Sequence, residues 1–389
     1  MRALFLTHNY PRYAGDPVGS FVLRLAVSLK AQGIDVHVVA PTAPDAPADD
    51  AIEDIPVTRF RYAPRKFETL AYTGTMAAQV RQSWKARLAM VGFLASGYRT
   101  AMRVIAQSQV DVLHAHWWFP AGLVARAVHA RTGVPYVVTM HGSDVRLAVG
   151  APGGAALFRS VTHRAAALTT VSTWLAQQVQ HLDPGAKPVI APMPVVPGLF
   201  FAGDSRQADR LLFVGKLAEQ KGLHHLLRAL ALMSRRATLD VVGAGRIDDA
   251  AVRALATELN VADRITWHPL LSQQALAPLY RNAAIHVIPA INEGLGLTSV
   301  EALLSETPVV AFDSGGLPDI VVPEHTGLLV PPGDVRALAA ALDRLLGDHE
   351  LRARLGREGR QFALTRFGPE AIAQRYAEAL RNAAARGTR

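Results

Sequence analysis

The chain has no cysteine, which excludes disulfides, thiolate catalysis and Cys-ligated zinc and suits a reducing compartment. Charged residues are sparse, 19% of 389, against 50% hydrophobic residues. No run approaches the roughly 20 uninterrupted apolar residues that a membrane-spanning helix needs. The opening Met-Arg-Ala-Leu-Phe-Leu-Thr begins like a secretory signal, but His8, Asn9 and Pro11 cut it short. It reads as a buried first strand, and the expected location is the cytoplasm. A full G-x-G-x-x-G with a later ribose-binding acid is also missing. Gly243-Ala244-Gly245 is too short for one, which argues against a dehydrogenase.

What is present is length enough for two hydrophobic cores, hence two domains of roughly 180 residues each. Short β-branched runs alternate with helical patterns, the signature of parallel sheets covered by helices. In the first half the strands are placed at Ala3–Thr7, Ile34–Ala40, Asp111–Ala115, Tyr136–Met140 and Leu168–Val171. Between the first two, Val18, Phe21, Val22, Leu25, Ala26 and Leu29 share one helix face, with Asp16-Pro17 as a start signal and Gly33 as a stop. Prolines at 188, 192, 194 and 197 break any regular element between Pro188 and Asp204, and mark the domain boundary. A second series follows at Arg210–Val214, Thr238–Val242, Arg264–Trp267, Ile285–Ile288 and Pro308–Phe312, with a helix carrying Leu223, Leu226, Leu227 and Leu230. The reading is an N-terminal domain over 1–190, a second over 191–365, and a closing segment over 366–389. That segment is a helix packing back toward the first domain, with a frayed tail from Ala383.

The net charge of +9 is concentrated. Residues 59–106 hold nine Lys/Arg (Arg59, Arg61, Arg65, Lys66, Arg81, Lys85, Arg87, Arg99, Arg103) against one acid, Glu68. Mixed with Trp84, Phe93 and Tyr98, such a stretch suits nucleic acid, an anionic membrane surface or a phosphorylated acceptor; a solvated helix face explains it equally well.

In open parallel sheets, ligands bind in loops beyond the carboxyl ends of strands, where helix N-termini face an anion. After Ile288 comes Glu293-Gly-Leu-Gly-Leu-Thr-Ser-Val-Glu301, two carboxylates across a glycine turn. With a helix starting near Thr298, the amides between them take a phosphate and the carboxylates accept from sugar and ribose hydroxyls. Thr298-x-x-Glu301 also reads as a capping box, in which Glu301 only satisfies the helix start. After Val214, Lys216 and Lys221 stand beside another helix start, where two cations neutralise a diphosphate; as single exposed lysines they are ordinary surface residues. His141, in Thr-Met-His-Gly-Ser-Asp144, is either a site residue at a strand end or a structural histidine. Gly15-Asp-Pro-Val-Gly19-Ser20 admits a phosphate or sugar close to backbone. His114 and His116 have no third metal ligand at a convincing spacing, and Trp117 and Trp118 form an aromatic wall or simply pack.

These residues resemble family 4 of the retaining glycosyltransferases, along almost the whole chain and most weakly between Ala43 and Gln109. The most specific part is Glu293-Gly294-x-Gly296 with Glu301-Ala302, followed by Pro308-Val-Val-Ala311, Gly315-Gly316, Gly327-Leu-Leu-Val330 and Pro332-Gly-Asp334. The resemblance implies an α/β GT-B fold: two Rossmann-like domains with parallel sheets facing an interdomain cleft, the first for the acceptor and the second for the donor. It implies a nucleotide-diphosphate-sugar substrate (UDP-, GDP- or ADP-linked), no cofactor, no metal site and transfer with retention to a glycan, glycolipid or small-molecule acceptor. It assigns sugar hydroxyls to Glu293, ribose hydroxyls to Glu301, and the diphosphate to Lys216, Lys221 and the amides of Leu297 and Thr298. It places His141 against the donor sugar, Gly19 beside the phosphate, and the loop from Trp267 to Leu271, with Leu270, against the nucleobase. Leu295 stands where an aromatic is frequent and Lys216 where arginine is common, so the bidentate fork is lost. Polysaccharide or glycolipid synthesis follows from the same resemblance, whereas peripheral contact with an anionic membrane at its cytoplasmic face is expected from the charge of the basic segment 59–106, and nucleic acid is not an expected partner. The rivals are an epimerase or phosphorylase on the same architecture, and an inert sugar-nucleotide or polyanion binder.

Overall fold

A computed structural model describes residues 1–43, 46–47, 49–203, 206–243 and 249–387. Residues 244 and 245 of the short glycine pattern fall outside them. The chain divides into two compact units, Met1–Pro194 with Pro369–Arg389, and Val195–Gly368.

The first unit holds an eight-stranded sheet of β1 (Arg2–Leu6), β2 (Asp35–Pro41), β3 (Asp49–Ile52), β4 (Ile55–Phe60), β5 (Val112–His116), β6 (Tyr136–Met140), β7 (Ala167–Thr170) and β8 (Val189–Ile190). Their order is β3-β4-β2-β1-β5-β6-β7-β8, parallel except where β3 turns back along β4. Central strands are apolar on both faces because helices cover both, and every residue of β5 and β6 is buried. The first helix runs Ser20–Ala31 from Gly19, later than the Asp16-Pro17 signal suggests, because Asp16 is engaged elsewhere. Its carboxylate accepts from Val18 N (3.1 Å) and from both backbone and side chain of Arg12. Burial alone would raise the Asp16 pKa, but these bonds hold it below the usual carboxylate range.

The helix Pro369–Gly387 packs against β5–β7 and the helix Ser20–Ala31. Ile372, Tyr376, Ala377 and Leu380 are fully buried, and Tyr376 OH donates to Ala191 O (2.6 Å). The tail expected to fray from Ala383 is helical through Gly387, with Ala383 buried. It is preceded by a helix His349–Phe367 that belongs to the second unit.

The second unit carries six parallel strands: β9 (Arg210–Val214), β10 (Thr238–Val242), β11 (Ile265–His268), β12 (Ile285–Ile288), β13 (Val309–Phe312) and β14 (Gly327–Val330), in the order β11-β10-β9-β12-β13-β14. Its core gathers Leu211, Phe213, Val241, Ile285, Val310 and Phe312 from the strands with Leu226, Leu227 and Leu230 from the helix Leu223–Leu232.

Candidate active site

In the second unit β9 pairs with β10 on one side and β12 on the other, Leu211 lying beside Ile285. At such a reversal of strand order the loops leaving two neighbouring strands part and open a crevice at their carboxyl ends. The loop after β9 carries Lys216 and Lys221; the loop after β12 carries Glu293. Lys221 Nζ and Glu293 Oε2 meet as an ion pair across 72 residues of sequence, their side chains only 25% and 13% exposed.

Gly222 makes this approach possible. It lies at φ 72°, and a Cβ there would stand 1.8 Å from the Pro289 carbonyl oxygen, so no other residue fits. Gln220 Nε2 donates to Asn292 O and Ile291 N donates to Gln220 O (both 2.9 Å), tying the two loops together. Gly316 N donates to Glu293 O (2.8 Å), which anchors the backbone of the acid. Lys216 is exposed as a residue, yet its ammonium sits below the ordinary lysine range, first through partial desolvation and second through the Lys221 charge.

The helix Leu297–Leu304 starts from Gly296 at φ 92°, with no side-chain cap. Thr298 is therefore already helical, and the capping box with Glu301 does not form. Glu301 is 8% exposed instead, its Oε2 accepting from Tyr280 OH (2.9 Å) and its Oε1 from Gln273 Nε2 (3.1 Å). Burial pushes its pKa up to about 7 against the pull of those two donors. The amides of Leu297 and Thr298, in the first turn, have no acceptor within the helix and carry its partial positive charge. Sequence spacing did not reveal Tyr280 and Gln273. They stand two turns apart on one face of the helix Gln273–Asn282, and only the fold brings them to Glu301.

Leu270 is 59% exposed just beyond β11. Trp267 belongs to the strand rather than to a loop, paired with Val241 and lying under the Arg253 guanidinium at 4.3 Å.

The first unit assembles a different chemistry. His8, His116 and His141 leave β1, β5 and β6 at their carboxyl ends around Trp117, with His8 and His141 rings each 4.3 Å from the indole. His116 Nδ1 and His141 Nε2 are 3.3 Å apart. Desolvation holds His141 and His114 down to about 3 and His8 to about 4, so all three are neutral near pH 7. Asp144 fixes the turn, accepting from His141 N (3.1 Å), Gly142 N (2.9 Å) and Trp118 N (3.2 Å). Both tryptophans are buried, and Trp118 Nε1 donates to Asp144 O (2.6 Å), so the aromatic wall is packed interior rather than open surface. Among the described residues, no three His, Asp or Glu side chains come together as a metal site. Gly19 sits at φ 73° against Asn9, whose carbonyl oxygen would be 2.6 Å from a Cβ.

Two Rossmann-like sheets, with opposed charges gathered at the strand reversal of the second, form a two-unit α/β architecture, and similarity to known proteins gives it a family. The profile of the family "Glycosyl transferases group 1" matches residues 203–362, and that of "Glycosyltransferase Family 4" matches 18–197. A D-inositol 3-phosphate glycosyltransferase of Saccharomonospora viridis is 31% identical over 407 aligned positions, covering 95% of this chain and 90% of its own. Another, from Acidothermus cellulolyticus, is 34% identical over 279 residues, 64% of this chain and 62% of the relative. Among solved structures, sucrose-phosphate synthase from Thermosynechococcus elongatus superposes with a TM-score of 0.82 at 24% identity over 98% of both chains. Anabaena HepE, solved with UDP and glucose, gives 0.74 at 18% identity over 98% of this chain and 99% of its own. The fold is GT-B, and the chain belongs to the group 1 glycosyltransferases.

Proposed function

We propose that this chain moves a sugar from a nucleoside diphosphate donor to an acceptor hydroxyl with retention of configuration and without a metal, and that the donor lies at the β9–β12 crevice. The observation that carries the reading is the Lys221–Glu293 pair beside the start of the helix Leu297–Leu304. Without donor the two charges neutralise each other. With donor, the diphosphate takes the ammonium of Lys221 together with Lys216 and the amides of Leu297 and Thr298, and Glu293 is released to accept from sugar hydroxyls. Glu301, held by Tyr280 and Gln273, accepts from the ribose, and Leu270 lies against the base. In the first unit, neutral His141 is assigned a hydrogen bond to the transferred sugar and Gly19 a place beside phosphate.

In the reaction the bond from the anomeric carbon to the diphosphate oxygen breaks and a bond to the acceptor oxygen forms on the same face. The acceptor proton passes to the departing diphosphate, and negative charge growing there is stabilised by the two lysines and the helix amides. UDP is the first donor nucleotide to test, because HepE was solved with it. The decisive measurement is acceptor-dependent release of nucleoside diphosphate, which also separates transfer from epimerisation. Glu293→Gln is expected to lower that release at least tenfold, roughly 1.4 kcal/mol of transition-state stabilisation, while UDP still binds. Unchanged turnover in the folded variant ends the assignment.

A further inference from the structure

The basic stretch of the first unit is not evenly spread charge. Arg59, Arg61, Arg99 and Arg103, with Ser96, Thr100 and Phe60, line a single cavity of about 290 Å³. Ser96, Arg99, Thr100 and Arg103 stand at i, i+3, i+4 and i+7 on the helix Trp84–Gln107, which contains no acidic residue at all. The end of β4 lies directly on this helix because the helix is cut away there. A Cβ on Gly92 would stand 2.2 Å from Tyr62 O, and Gly97 faces the Phe60 ring at 3.5 Å.

The charges in this cavity are poorly compensated. Arg59 is 5% exposed; it donates to Pro11 O (2.6 Å) and Tyr72 OH (3.2 Å), and its Nε has no partner. Arg61 reaches Glu68 at 3.3 Å. Arg99 and Arg103 are exposed and have no acidic partner among the described residues. A buried guanidinium, three further forks and two hydroxyls line a site for a group with several acceptor oxygens and more than one negative charge. The volume admits a phosphate and part of what carries it.

We propose that this cavity binds a phosphate group, borne either by a small soluble molecule or by a lipid headgroup. The inference does not depend on the donor-site reading, since every residue named lies in the first unit and none is assigned to transfer.

The test uses the full chain and two variants at exposed positions, Arg99→Ala/Arg103→Ala and Arg99→Lys/Arg103→Lys, with circular dichroism as the check that each is folded. Calorimetry with glycerol 3-phosphate, and sedimentation with phosphatidylglycerol and with phosphatidylcholine vesicles, read the two sources of phosphate. The alanine variant is expected to lose at least tenfold in affinity for whichever probe binds, the lysine variant severalfold, with UDP affinity unchanged in both. Binding of glycerol 3-phosphate identifies a soluble ligand; binding confined to phosphatidylglycerol vesicles identifies a headgroup. No binding to either probe, or equal binding by the alanine variant, overturns the proposal. A lysine variant indistinguishable from the parent also overturns it, because diffuse surface charge would then suffice.

Discussion

The two units place their polar side chains at the same position in the fold, the carboxyl ends of central parallel strands, yet handle charge in opposite ways. In the second unit, Lys221 and Glu293 meet as an ion pair and shield each other. In the first, burial strips His8 and His141 of charge, leaving neutral rings packed around Trp117, and does the same to His114 beneath them against Phe5 and Tyr376. A paired charge can be exchanged for a charged ligand, whereas a neutral ring can offer only shape and a hydrogen bond. On the proposed reading, the strand ends of the second unit hold the diphosphate while those of the first orient uncharged hydroxyls.

The comparison breaks most readily in the second unit. Lys216→Ala/Lys221→Ala is expected to reduce transfer about 100-fold, since two charge-assisted bonds are worth roughly 3 kcal/mol. Single-turnover rates with saturating donor check this, and a loss under threefold would mean that the diphosphate is held elsewhere. Glu301 sharpens the contrast, because it is buried and its pKa, about 7, falls in the working range. A ribose hydroxyl donates to the ionised form, so UDP affinity should fall as pH drops below about 7, by up to about tenfold per pH unit. Folding stability runs the other way. A folded pKa raised above the ordinary 4.5 means that this group's contribution is complete below 4.5 and is lost as pH rises through about 7. Glu301→Gln should therefore raise the melting temperature more at pH 8 than at pH 5 while weakening UDP binding. The smallest effect is expected at His141. Replacing it with alanine removes one neutral hydrogen bond, a loss of about fivefold. The pH–rate profile between 5 and 8 should contain no step that disappears in the variant; a step near 6.5 that vanishes would show that the ring titrates.

Much of this architecture was legible in the residues, for reasons that also explain what was not. Tyr136–Met140, Arg210–Val214, Thr238–Val242 and Ile285–Ile288 lie where their apolar runs put them, because parallel strands buried on both faces leave an unbroken signal. The hairpin of β3 and β4 was invisible. Its turn residues, Glu53 and Asp54, adopt φ 51° and 59°, a conformation usually announced by Asn-Gly. Here Arg24 pairs with Glu53 across the fold, an interaction no local pattern encodes. In the candidate site, each loop could be picked out by its glycines and charges. That Lys221 touches Glu293 depends on the β9–β12 neighbourhood, and that Glu301 is gripped by Tyr280 depends on a helix packed beside it. Neither is a property of spacing.

The helix Pro369–Gly387 completes the first unit after the chain has built the whole of the second. During synthesis, therefore, Val195–Gly368 has all its strands while β5–β7 still lack the cover that Ile372, Tyr376 and Leu380 provide. The nascent first unit emerges from the ribosome early and matures last, exposing an apolar sheet face to chaperones until the final turns arrive.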